Sequence, residues 1–166
     1  WQENNLGGIY FYNDWRAQTP WGHTRPDYGR SEVRQYIRDN AMMWLEECRC
    51  DGLRMDMTPY IRNVYADENP SNDLKEGYEL IRWINSEIDA KYTDKITIAE
   101  DLHGMDFITR EVAAGGCGYT TQWDADFVHP VRDVLTVIYD GDRDMEKVRH
   151  ALMRTYNNDA FQRVIY

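Results

Sequence analysis

Two acidic side chains, Asp56 and Glu100, each close a short run of strand-forming residues at the point where a loop begins. An arginine, Arg54, stands two positions before the first. In a β-strand, side chains two apart project from the same face, so Arg54 and Asp56 share a face at the C-terminal end of their strand. In parallel α/β folds that end is where active sites gather. If the two strands are neighbours, both carboxylates face one pocket with a guanidinium beside them. Arg54 then holds Asp56 ionised, and Glu100, farther from the cation and nearer a carboxylate, has its proton affinity raised. A carboxylate beside a carboxylic acid under opposed pressures suits retaining glycoside chemistry, in which one group attacks the anomeric carbon and the other protonates the departing oxygen. Retention requires the two carboxyl groups to lie only ~5–5.5 Å apart. The same residues also fit a plainer reading, in which Arg-x-Asp is a structural salt bridge and a Glu ending a strand is simply solvated.

The surrounding pattern must supply those strands. Residues 7–12 follow a glycine pair with aromatic and β-branched types, which predicts a short strand. Residues 13–30 lack periodicity and form a loop carrying Trp15, Trp21 and Tyr28, large planar groups that could stack on sugar rings or merely pack. Ser31 is placed to cap a helix whose apolar face is Val33, Tyr36, Ile37, Ala41, Trp44, Leu45 and Cys48. A strand over 50–56 follows. Asp73 and Glu76 resemble a capping box opening a helix through Leu80, Ile81, Ile84 and Ile88. The run 95–100 predicts another strand, then a short helix at 106–114, a glycine-rich turn at 115–118 and a third strand at 120–124. Helices are expected at about 126–139 and 143–156, with an apolar run at 161–166 that reads as a strand just begun. Strand and helix alternating in this way imply parallel strands with crossover helices. That leaves an open doubly wound sheet or a (β/α) barrel. No glycine-rich phosphate loop follows any strand, which disfavours the nucleotide-binding version.

Two stretches narrow the choice. Asp51-Gly-Leu-Arg-Met-Asp56 resembles the fourth-strand motif of the α-amylase superfamily (glycoside hydrolase family 13), and Thr97-Ile-Ala-Glu-Asp101 resembles its fifth-strand motif. The flanks Asp27-Tyr-Gly-Arg-Ser-Glu-Val33, Trp44-Leu-Glu-Glu47 and Gln122-Trp-Asp-Ala-Asp-Phe-Val-His129 look like those of its branching enzymes. The resemblance implies a partial (β/α)8 TIM barrel, roughly its strands 3 to 7, α-1,4-glucan substrates and double displacement. Residues 1–30 would be the third-strand region with its aromatic loop, and 31–166 the βα units bearing the carboxylates. It further implies Asp56 as nucleophile, Glu100 as acid then base, Arg54 as the orienting cation, and Trp123 and His129 as substrate-groove residues, although both could instead pack the sixth strand. Pro59-Tyr60 stands where hydrolytic amylases commonly carry Lys-His, which favours branching enzymes or the related trehalose-forming hydrolases over plain amylases. The superfamily's Asp-x-x-x-Asn-His and Asn/Ser-His-Asp motifs do not occur in the sequence. The chain begins at Trp1 and both ends look cut. A complete barrel takes ~250 residues, so the isolated polypeptide is expected to be inactive and poorly soluble. A faint likeness of Asp56-Met-Thr58 to aspartate-nucleophile phosphatases fails because Arg54 would repel Mg²⁺. A non-catalytic glucan-binding relic is the reading from another class, and Asp56→Asn separates it from an enzyme.

Composition narrows the partners. The 166 residues carry a formal charge of −10, the wrong sign for a nucleic-acid partner held by clustered Lys and Arg. No apolar run approaches the ~20 residues needed to span a bilayer. The cysteines Cys48, Cys50 and Cys117 lack zinc-ligand spacing. They read as buried or semi-buried free thiols in a reducing compartment, hence the cytoplasm. No metal or cofactor is implied.

Overall fold

A computed structural model describes residues 7–166. Its centre is a four-stranded parallel sheet of β3 (Gly52–Met55), β4 (Ile96–Ala99), β5 (Thr121–Trp123) and β6 (Arg163–Val164), hydrogen-bonded in that order. A separate two-stranded hairpin, β1 (Gln18–Thr19) and β2 (Gly22–His23), lies in the predicted aromatic loop. The helices are α1 (Ser31–Glu46), α2 (Pro59–Arg62), α3 (Lys75–Lys91), α4 (Ala125–Leu135) and α5 (Met145–Met153). Consecutive strands are neighbours throughout the sheet. A doubly wound sheet reverses its strand order at a switch point; among the described strands the order never reverses.

The register sets the functional level. Met55 pairs with Ala99 and Ala99 with Gln122. The next residue on each strand is therefore Asp56, Glu100 and Trp123, one row at the C-terminal edge, facing the same way. The opposite face is covered by helices. Leu53 and Met55 pack against a core built on Met42, Leu45, Leu80, Ile84 and Ile88, while Ala99 joins Ile81, Ile108, Cys117 and Tyr119 in a second cluster. Burying these aliphatic side chains, at about 1.5–3 kcal/mol each, is what holds α1 and α3 on the sheet. Gly52 is required where β3 meets β4, because a Cβ there would lie 2.4 Å from the Ile96 carbonyl oxygen.

Several local expectations are corrected. Residues 7–12 form a turn, with the Phe11 amide donating to the Gly7 carbonyl at 2.9 Å, and only Phe11 bridges, to Pro26. The glycine pair allows the chain to fold back rather than extend, and Gly8 sits at φ 60°. Ser31 is the first residue of α1 rather than its cap, its hydroxyl turned to Glu32. The buried stripe of α1 runs through Val33, Met42 and Leu45, with Ile37 and Ala41 beside them. Tyr36 faces outward against Tyr10, and Trp44 and Cys48 are exposed. Asp73 does not cap α3, which begins at Lys75; its carboxylate instead accepts from Asn63 at 3.1 Å. Between β4 and β5 the predicted helix is two single 3-10 turns, Asp106–Ile108 and Val112–Ala114. Helices α4 and α5 stop short of their expected ends, at Leu135 and Met153, and the chain after α5 turns extended at Arg154. No helix among the described residues is long and apolar enough to cross a membrane.

Candidate active site

Arg54, Asp56, Glu100 and Trp123 come together at the C-terminal edge of the sheet. Arg54 Nη1 lies 2.8 Å from Asp56 Oδ1, and Arg54 Nη2 donates to Glu100 Oε2 at 2.5 Å. One planar cation thus spans two carboxylates from adjacent strands, a fork geometry particular to arginine. The guanidinium also lies over the Trp123 ring, 4.3 Å from its centroid, a cation–π contact. Trp123 in turn stacks on Tyr166, with centroids 4.4 Å apart and an interplanar angle of 21°.

The two carboxylates differ in their surroundings, though not as their spacing from the cation predicted. Glu100 is no farther from Arg54 than Asp56 is; parallel pairing at the Met55–Ala99 register brings it to the same guanidinium. The contrast lies in access. The side chain of Asp56 is 73% exposed and that of Glu100 only 12%. Glu100 Oε2 also accepts the Met57 amide at 2.9 Å. Met57 reaches that position in the left-handed region, at φ 41°, a conformation that costs a side-chain-bearing residue ~1–3 kcal/mol and clusters at functional sites. The strained turn reverses the chain after Asp56 and aims an N–H back at Glu100. Oε2 therefore carries two donors, while Oε1 accepts no hydrogen bond among the described residues.

Beneath this row runs a polar layer that spacing alone does not reveal. Arg62 and Asp101, 2% and 0% exposed, form a forked ion pair with Nε–Oδ2 at 3.0 Å and Nη2–Oδ1 at 3.3 Å. The Thr58 hydroxyl reaches both the Glu100 carbonyl at 3.1 Å and Asp101 Oδ2 at 3.2 Å. The signal in the sequence is slight: Arg62 closes the run Pro59-Tyr-Ile-Arg62, and Asp101 follows directly on Glu100.

The other candidates lie apart. His129 is exposed on α4, and among the described residues no hydrogen bond, ion pair or ring contact ties it to this row. The buried residue of α4 is Val134, and five residues back His129 lies on another side of the helix. Tyr28 is buried edge-on against Tyr12 and is unavailable to a sugar, whereas Trp15 and Trp21 are exposed. Trp21 rests against Tyr60, with ring centroids 5.4 Å apart, and Trp15 against Tyr65, at 6.3 Å. No group of three or more His, Cys, Asp or Glu among the described residues could hold a metal ion.

No protein-family model matches the chain. It is 29% identical over 140 residues to the 1,4-alpha-glucan branching enzyme GlgB of Photobacterium profundum, covering 75% of this chain and 19% of that protein. It is 31% identical over 134 residues to the enzyme of the same name from Pseudoalteromonas atlantica, covering 73% and 18%. The Kitasatospora aureofaciens enzyme of that name gives 31% over 134 residues, covering 73% and 17%. The chain spans less than a fifth of the length of these curated relatives. The likeness to branching enzymes read from the flanks of the two strand motifs is borne out: the chain is similar to a segment of proteins named 1,4-alpha-glucan branching enzyme.

Proposed function

We propose that the chain is part of the catalytic (β/α)8 barrel of a cytoplasmic glucan-branching enzyme of the α-amylase superfamily. Its substrate would be an α-1,4-glucan such as glycogen, starch or a maltooligosaccharide. The parallel sheet in unreversed order supports the barrel. The observation that carries the chemistry is the single guanidinium of Arg54 joining Asp56 and Glu100 at the ends of adjacent strands.

The steps follow from the different access of the two acids. Asp56, open to solvent, attacks the anomeric carbon; the glycosidic C–O bond breaks, and Glu100 gives its proton from Oε1 to the leaving oxygen. A glycosyl ester on Asp56 results. In the second half Glu100 takes the proton of an acceptor-chain hydroxyl as that oxygen displaces Asp56, so configuration is retained. Arg54 orients the nucleophile, and Trp123 fixes the guanidinium plane while offering an aromatic surface beside the reacting sugar.

Amylose treated with the protein expressed from its complete native coding sequence tests this. Branching shifts the iodine colour with few new reducing ends. Release of reducing ends in step with the colour change would mean hydrolysis instead, and no change in either would reject the enzyme reading.

A further inference from the structure

We propose that Thr58, Arg62 and Asp101 form a buried clamp whose role is to position Asp56 and Glu100 relative to each other. This rests on the glycosyl-transfer reading above. The two acids leave the sheet on separate loops. Beyond the last strand pair, Met55 with Ala99, the gap between them is bridged by the Glu100 amide, which donates to the Met55 carbonyl at 3.0 Å, and by the Arg54 fork. The clamp closes that gap just below the reacting groups. Thr58, two residues after Asp56, donates its amide to the Glu100 carbonyl at 3.1 Å, and its hydroxyl proton is placed between that carbonyl and Asp101. Arg62, at the end of α2, grips the residue after Glu100 with a two-pronged ion pair. The fork is walled in by the Phe107 ring, 5.4 Å from the guanidinium carbon, and Arg62 Nη2 meets His103 Nδ1 at 3.1 Å.

Two features argue for positioning rather than simple stability. A buried ion pair is a poor stabiliser, since taking two charges out of water costs about what their attraction returns, and an apolar pair of similar volume often serves the fold equally well. Its strength is geometric: a planar fork accepts one arrangement. The second feature is the nucleophile itself. Asp56 is largely exposed and, among the described residues, its only side-chain partner is Arg54, two positions back, so its place depends on that one fork and on the backbone of the following loop. That loop holds Met57 in a strained conformation, which would relax if the Thr58 contacts were released. Release would take with it the Met57 N–H that binds Glu100.

The test uses the protein from its complete native coding sequence, with kcat, KM and Tm measured on amylose. Thr58→Val removes the hydroxyl at nearly unchanged volume, and Thr58→Ser keeps it. The paired change Arg62→Met with Asp101→Leu replaces the ion pair by apolar packing. A misplacement of about 1 Å costs on the order of 100-fold in rate. The valine variant and the apolar pair should therefore lose about 10- to 100-fold in kcat with KM within about twofold, while the serine variant stays near wild type. Equal kcat in the valine variant, the apolar pair and wild type would overturn the clamp and leave the glucan reading standing. Failure of every variant to fold would also overturn it, by making the cluster structural. An inactive wild type would instead sink the glucan reading itself.

Discussion

Gly52→Ala is the sharpest single perturbation of the site's frame. A Cβ at this position would sit 2.4 Å from the Ile96 carbonyl oxygen and 2.6 Å from Ile96 Cγ1. Carbon and oxygen tolerate an approach of ~3.3 Å even in favourable cross-strand contacts, so β3 and β4 must part by roughly 0.9 Å. The atom in the way is main chain, and rotamer changes offer no relief. Overpacking of this kind costs about 1–3 kcal/mol. The same displacement carries Arg54 and Asp56 away from Glu100, where ~1 Å is worth on the order of 100-fold in rate. The expected result is a lower Tm together with a kcat reduced about 10- to 100-fold, read by thermal denaturation and amylose turnover. Gly141→Ala is the control, since nothing lies within 4 Å of its added Cβ. If Gly52→Ala matched that control in both measurements, the close approach of the two strands would not be what sets the spacing of the acids.

Two further outcomes concern the scaffold. Hydrogen bonds from Arg38, and then Lys91, hold the Glu87 carboxyl well below its ordinary range, at about 2. The unfolded value is ~4.3, so the link between α1 and α3 is fully present above that pH and is lost as pH falls toward 2. Glu87→Gln should flatten the dependence of Tm on pH between about 4 and 2; an unchanged slope would contradict the assignment. Burial pushes the Cys117 thiol up to about 11, and Cys48 is exposed. Iodoacetamide at pH 8 should alkylate Cys48 in the native protein and reach Cys117 only on unfolding, as peptide mass mapping would show.

Much of the frame was legible because it rests on local pattern. The strands over Gly52–Met55, Ile96–Ala99 and Thr121–Trp123 follow from β-branched or apolar runs ended by loops, and α3 from its aliphatic stripe. The convergence of Arg54 with both acids followed once neighbouring parallel strands were assumed. What was not legible depends on contacts distant in sequence. Arg62 and Asp101 lie 39 residues apart and pair only because α2 meets the loop after β4. Asp73 looked like a helix cap but is claimed by Asn63 from an adjacent segment. Glu100 was expected farther from the cation than Asp56, because spacing along one strand says nothing about reach across to the next. Tyr28 looked like part of an exposed aromatic loop, and only tertiary packing against Tyr12 shows it to be core.

The central claim is that Asp56 becomes covalently bonded to sugar while Glu100 serves as acid and base. A 2-deoxy-2-fluoroglycosyl fluoride, whose intermediate forms faster than it breaks down, can trap that ester in the protein from its complete native coding sequence. Peptide mass spectrometry should then find one sugar residue attached at Asp56. Turnover of amylose with the label on another side chain would contradict the account.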